Sequence, residues 1–254
     1  CAASGELLPI VNPGFETLNV TLRTGEQTNG AGGVPLNSGL PETPVNTRWQ
    51  YPFQPDGNTP QSGVLVPGWR TLPNAPGSLA GVLNPAATFG GRDWMTGYSG
   101  NHVAVAQAAF MQQTLNVQVQ PSTTYTLSFL AGIGITDSEY TPLLRLLASP
   151  NLETFATPSV PGVVSLASVP SGSIIRRETF GTMQPFSITY TSPAVLPPEL
   201  AGKYPAISFL GSDGIPRVVY DDFRLEAVPA PGACVVLVGG WAVTSRRGAR
   251  KRRQ

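Results

Sequence analysis

Charge is scarce in this chain. Asp, Glu, Lys and Arg make up 12% of its 254 residues, about half the usual quarter. Histidine is scarcer still: His102 stands alone, which excludes a multi-histidine metal site and any pair of catalytic histidines. The two cysteines, Cys1 and Cys234, lie at opposite ends, so no disulfide framework follows. There is no Gly-x-Ser-x-Gly elbow, phosphate loop, dinucleotide fingerprint or Cys/His zinc spacing. Convincing helical periodicity is also lacking between residues 5 and 227, which excludes a helix bundle or coiled coil. What is abundant is Gly (28) and Pro (26). With 41% hydrophobic residues the chain is too apolar for a disordered polymer. At this length it can bury roughly three-quarters of its unfolded surface. That combination fits one large all-β domain of short strands and many turns.

The net charge of +1 hides an asymmetry. Six of 16 basic residues fall at Arg246, Arg247, Arg250, Lys251, Arg252 and Arg253, so residues 1–245 hold 10 basic against 15 acidic groups. A nucleic-acid partner needs a basic face, and this body is mildly acidic; no nucleic acid is expected.

Both ends read as addresses. The small residues at 1–4 suggest a signal-peptide remnant or mature N-terminus, with lipid modification of Cys1 as a competing reading. At the other end stand Val228, Pro229, Ala230 and Pro231, then an apolar run over 233–243, then the arginine cluster. Eleven apolar residues fall short of the roughly 20 that span a bilayer. This order of Pro-rich motif, short hydrophobic helix and basic end resembles a PEP-CTERM sorting tail over residues 228–254. The resemblance implies export, transient membrane anchoring and an exosortase-type processing partner, with the protein at the cell envelope or outside it.

Within the body, 24–47, 52–63 and 73–100 are long turn-rich stretches, which suggests functional insertions. Strand signals strengthen after His102. Residues 114–119 alternate; Tyr125, Leu127, Phe129 and Ala131 share one face; Phe186, Ile188 and Tyr190 share another; apolar runs at 143–148, 206–210 and 218–225 complete the set. A period of two marks half-buried strands. The predicted fold is an antiparallel jelly-roll β-sandwich over residues 5–227, with long loops, followed by the short C-terminal helix.

Five pieces occur in a telling order. They are Val11-Asn12-Pro13-Gly14-Phe15-Glu16, Val66-Pro67-Gly68-Trp69, Gln112-Gln113-Thr114-Leu115, Thr124-Tyr125-Thr126-Leu127 and Tyr220-Asp221-Asp222-Phe223. Together they resemble the galactose-binding-like jelly rolls, which include carbohydrate-binding modules. Strict alternation puts Val219, Asp221, Phe223 and Leu225 on one face, and so the Asp221 carboxylate among apolar neighbours. A desolvated carboxylate needs a partner. The resemblance implies a structural calcium, which takes oxygen ligands, held by Asp221 and Glu16. The plainer alternatives are a salt bridge from Asp221 to Arg224 or another arginine, or a backbone turn contact.

The resemblance further implies sugar binding, by flat aromatics beside polar groups. Trp94, Tyr98, Trp49 and Tyr51 are the candidates, while Trp69 reads as core. The leading expectation is a non-catalytic surface protein that binds polysaccharide or extracellular matrix. Two alternatives stand beside it: an enzyme on the same sandwich, either a cyclase or a glycoside hydrolase, or a matrix protein with no small-ligand site. Relatives of the fold include secreted cyclases. A cyclase needs an acid by an apolar pocket, for which Asp137 and Tyr98 are available. A glycoside hydrolase needs two carboxylates across a cleft; nothing marks out Asp93, Asp137 or Glu139 for that role.

Overall fold

The computed structural model describes residues 5–17, 49–50, 61–62, 66–73, 79–83, 88–89, 92–93, 95–100, 102–107, 109–133, 139–211 and 218–230. The apolar run and basic cluster of the tail lie outside them, as does the expected helix. In chain order the strands are β1 (Glu6–Leu8), β2 (Trp49–Gln50), β3 (Gln61–Ser62), β4 (Arg70–Pro73), β5 (Leu79–Leu83), β6 (Thr88–Phe89), β7 (Arg92–Asp93), β8 (Val103–Gln107) and β9 (Ala109–Thr114). They continue with β10 (Thr123–Ile133), β11 (Leu143–Ser149), β12 (Val164–Ser168), β13 (Gln184–Thr191), β14 (Tyr204–Leu210) and β15 (Val218–Pro229). Among the described residues the sole helical element is a 3-10 turn, Arg177–Thr179.

Two antiparallel sheets form the expected jelly-roll sandwich. The first runs β13-β10-β15-β8-β5-β2, with β1 also on β15. The second runs β12-β11-β14-β9-β4-β3. Alternation decides which side chains meet between them. On β10, Tyr125, Leu127, Phe129, Ala131 and Ile133 are buried while Thr124, Thr126, Ser128 and Leu130 are half-exposed. Their opposite numbers on the second sheet include Met111, Leu144, Leu146, Ile207 and Phe209.

The centre of this core is aromatic. Trp69 lies 5.0 Å from Phe15, 5.2 Å from Phe223 and 5.6 Å from Phe209, ring centre to ring centre. Such tilted contacts contribute beyond the area they bury. The indole N–H donates to the Asn12 carbonyl at 3.2 Å, so the one polar atom of Trp69 is satisfied. Gln113 points inward too, and its amide replaces a strand neighbour: it accepts from the Val11 N–H (2.7 Å) and donates to the Val11 carbonyl (2.8 Å). These contacts press residues 11–16 onto the core, and they explain why three separated sequence pieces belong together.

Besides the alternating stretch 114–119, of which only Thr114 is in a strand, two features differ from expectation. Strand β15 does not end at residue 227. Val228 and Pro229 pair with Thr124 and Thr123, and the Ala230 N–H donates to the Ser122 carbonyl at 2.6 Å. The first three residues of the expected sorting motif therefore extend or follow the last strand.

The second difference is the alternation along β15. Phe223 and Leu225 face the core together with Val218 and Tyr220, whereas Val219 lies in a separate apolar cluster with Met95, Val103, Val105 and Met183. The cause is a β-bulge. The register with β10 shifts between Ser128 and Leu130, and Asp222 adopts a left-handed φ of 49°. One extra residue on β15 reverses the facing of everything after it. Val219 and Asp221 thus share the outer face, while Phe223 and Leu225 turn inward.

The aromatic centre yields a prediction. Trp69→Ala should cost about 3–5 kcal/mol, read as a lowered urea midpoint with an unchanged slope. A loss below 1 kcal/mol would show that Trp69 is not the keystone described.

Candidate functional site

Three segments meet at the bulge on the outer side of β15. The first is the turn at residues 12–17. Its shape follows from its sequence: Asn12 (φ 51°) and Phe15 (φ 59°) are left-handed, and the Asn12 side chain both accepts from the Thr17 N–H and donates to the Thr17 carbonyl. Asn tolerates that region better than most residues. The Phe223 N–H donates to the Pro13 carbonyl at 3.2 Å, tying the turn to β15.

The second segment, residues 95–100 and His102, is stitched to the connection before β13. The Thr96 N–H donates to the Gly181 carbonyl and the Met183 N–H to the Thr96 carbonyl. The third segment is β15 itself, which supplies Asp221.

Asp221 is wholly buried. One carboxylate oxygen accepts from the Ser99 N–H at 2.6 Å, the other from the Asp222 N–H at 2.7 Å. Desolvation by burial pushes its carboxyl up to about 7; the two N–H donors oppose this, and the carboxylates of Asp222 and Glu16 add to it. Glu16 approaches from the turn. Its Oε1 accepts from the His102 N–H at 2.8 Å, and its Oε2 lies 3.6 Å from His102 Nδ1. Gly14 sits between the two acids: a Cβ there would stand 3.6 Å from Asp221 Oδ1 and 4.0 Å from Glu16 Cγ.

The two carboxylates predicted as a pair are therefore brought together. Of the plainer alternatives, the salt bridge to Arg224 does not form, since Arg224 binds Asp222 at 3.0 Å instead, whereas backbone contacts to Asp221 do. Among the described residues no third His, Cys, Asp or Glu joins Glu16 and Asp221 as a metal-binding group.

Beside this pair lies the apolar cluster of Met95, Val103, Val105, Met183 and Val219, with Leu130 and Tyr98 half-buried against it. Tyr98 directly precedes Ser99, whose N–H is held by Asp221. The buried acid thus holds the backbone next to Tyr98, whose ring packs against the cluster. Of the four aromatics expected to meet sugar, Tyr98 alone can be placed. Trp94 and Tyr51 lie outside the described residues, as do the Trp49 side chain and the candidate acid Asp137. Glu139 lies elsewhere, accepting from the Arg177 N–H. The apolar cluster was not foreseen, because Met95 and Met183 are isolated methionines in irregular segments and only pairing across the fold joins them.

Comparison with known proteins now decides the family. The chain matches the HpiC1-like family, HpiC1 cyclase, over residues 6–226. The protein belongs to that cyclase family.

Two solved structures are similar along most of the chain. A Stig cyclase, Fisc from Fischerella sp. TAU in complex with (3Z)-3-(1-methyl-2-pyrrolidinylidene)-3H-indole, is 20% identical with a TM-score of 0.54, covering 89% of this chain and 100% of that one. A cyclase from Fischerella sp. TAU in complex with 4-(1H-indol-3-yl)butan-2-one is 19% identical with a TM-score of 0.56, covering 89% and 98%. At such identity the likeness is one of fold. No curated protein gives a match.

The family match corrects the expected function. A cyclase family replaces the non-catalytic protein with a carbohydrate-binding-module-type body, and the enzyme alternative fits better. The expected polysaccharide, matrix and exosortase partners fall with that reading, since a cyclase family implies a small-molecule substrate. The PEP-CTERM resemblance is corrected as well: the match identifies the chain by its sandwich as a cyclase, and Val228 and Pro229 are strand residues. The jelly roll was shared by both readings, so fold alone could not separate them.

Two glycines test the geometry. Gly97 (φ 74°) and Gly100 (φ 71°) both need left-handed backbone, but only at Gly100 would a Cβ meet the Glu16 carboxylate, at 2.4 Å. Each change to Ala should cost about 1–2 kcal/mol from backbone alone. Gly100→Ala should cost more, because Glu16 must also leave His102. Equal losses in urea unfolding would contradict the placement of Glu16.

Proposed function

We propose that the protein is a cyclase acting on a small, largely apolar substrate bound against the cluster beside Tyr98. The single observation that carries this is the packing of the half-buried Tyr98 against that cluster, in a chain whose family is a cyclase family. The indole compounds in the neighbouring structures suggest the substrate class: an indole bearing a flexible unsaturated chain. Cyclisation is an isomerisation. It needs the chain folded so that two carbons meet, with a proton given at one atom and taken at another. A water-poor apolar face favours the folded chain. Tyr98, one of two acids expected for such chemistry, is assigned here as the group that donates a hydrogen bond or proton to the developing charge.

We also propose that Glu16 and Asp221 hold a calcium ion. The donor set fits: two convergent carboxylates offer oxygen ligands, and among the described residues Asp221 has no cationic side chain opposite it. Further ligands would be main-chain carbonyls, which calcium accepts. When bound, the ion supplies positive charge that offsets the burial of Asp221. The residues then do the rest: Asp221 holds the backbone of Ser99 next to Tyr98, and Glu16 secures His102 at the start of β8.

Two measurements check these readings. The protein is incubated with a 3-alkenyl indole and the products are analysed; the expected product has unchanged mass, a new retention time and one double bond fewer. Tyr98→Phe should slow its formation about 100-fold while the unfolding temperature holds. Failure of the protein to turn over any such indole or to bind 4-(1H-indol-3-yl)butan-2-one would overturn the cyclase reading. Separately, calcium should raise the unfolding temperature, EDTA should reverse this, and Asp221→Asn should abolish the response. A calcium-independent unfolding temperature in the unaltered protein would sink the metal assignment.

A further inference from the structure

A concave site lies at the open edge of the sandwich, on the inner face of the sheet whose outer face carries Asp221. Strand β13 is the edge of its sheet, and its core-facing row reads Gln184, Phe186, Ile188, Tyr190. Pairing sets that row: Gln184 stands opposite Ala131, Phe186 opposite Phe129 and Ile188 opposite Leu127, all three partners being core residues. Ile188 is buried, yet Phe186 and Gln184 are only half-buried. The sandwich is therefore unfilled at this end. A glutamine at a core-facing position is the wrong residue for a closed core, and its amide makes no hydrogen bond among the described residues.

The connection between β12 and β13 forms the other wall. The Ile175 N–H donates to the Tyr140 carbonyl at 2.9 Å, which turns Ile175 inward to 2% exposure and leaves Ile174 at the rim, 43% exposed. Ile174, Ile175, Arg176, Glu178, Gln184 and Phe186 line the resulting crevice together with Thr179, and its volume is about 360 Å³. That is near the lower end of the range for small-molecule sites, enough for one or two fused rings. Its chemistry is divided. Ile175 and Phe186 supply an apolar floor and Ile174 an apolar rim. Arg176 and Glu178 supply one charge of each sign, and among the described residues neither side chain has an ion-pair partner. The nearby carboxylate of Glu139 is engaged by the Arg177 N–H.

We propose that this crevice is a second ligand site and that it takes a free aromatic amino acid. The ring lies on Ile174, Ile175 and Phe186, the carboxylate faces Arg176, and the ammonium group faces Glu178, with the Gln184 amide free to serve either head group. The floor selects an aromatic body; the opposed charges select a zwitterion over a simple acid or amine. This site shares no residue with the cluster beside Tyr98, so it stands independently of the cyclase reading.

The test is titration calorimetry on the full chain with L-tryptophan, tryptamine and indole-3-propionate. L-tryptophan should bind at least tenfold more tightly than the two analogues, each of which lacks one charge. Arg176→Gln and Glu178→Gln, both at exposed positions, should each weaken L-tryptophan binding about tenfold, and Ile174→Asp should abolish it. Cyclase turnover should be unaffected by these three changes, and Tyr98→Phe should leave L-tryptophan binding intact. The proposal is overturned if L-tryptophan does not bind, if the analogues bind as well, or if binding responds to Tyr98→Phe and not to the crevice variants.

Discussion

The site rests on one buried carboxylate. Asp221 has no contact with solvent, and a lone ionised carboxyl in such a place costs several kcal/mol. Two backbone N–H groups meet it, and both come from residues whose positions matter: Asp222 at the bulge and Ser99 in the loop that carries Tyr98. That demand for donors is what draws residues 95–100 onto β15. The same bulge turns Phe223 inward, where it joins Trp69 and Phe15. One irregularity thus serves the acid on one side and the aromatic core on the other.

The surrounding loops hold several residues in unusual backbone conformations where they touch this point. Asn12, Phe15, Gly97, Gly100 and Asp222 all have positive φ. Left-handed conformations cost energy in ordinary residues and persist where the surroundings hold them. Here the surroundings are identifiable: the Gln113 amide on Val11, the Trp69 indole on Asn12, and the Glu16 carboxylate on His102. Packing of a large aromatic cluster therefore supports the precision of a site on the opposite face of the sheet.

Much of the fold was legible in the residues. Period-two alternation marked β10 and β13, and the apolar runs at 143–148, 206–210 and 218–225 are strands, but the alternation at 114–119 is irregular beyond Thr114 and β12 carried no signal. The pairing of Glu16 with Asp221 was also legible, through a resemblance shared by many jelly rolls. Function was less so. The aromatics that suggested sugar are common in any loop-rich sandwich, whereas the apolar cluster under Tyr98 comes from single residues far apart in the chain. Neither Met95 nor Met183 stands in a pattern that reveals its neighbour.

What the sequence determined by itself was local: the period of two, the turn chemistry of Asn-Pro-Gly, the scarcity of charge and histidine, and hence an all-β sandwich with few possible catalytic groups. Tertiary structure decided the facing of β15 beyond residue 221. Alternation assigns sides only while the register holds, and a bulge is the insertion of one residue relative to a partner strand. Whether a residue is extra depends on β10, not on β15, so no reading of β15 alone could have found it. The same holds for the open edge at β13, where a glutamine faces inward because the opposite wall stops short of it.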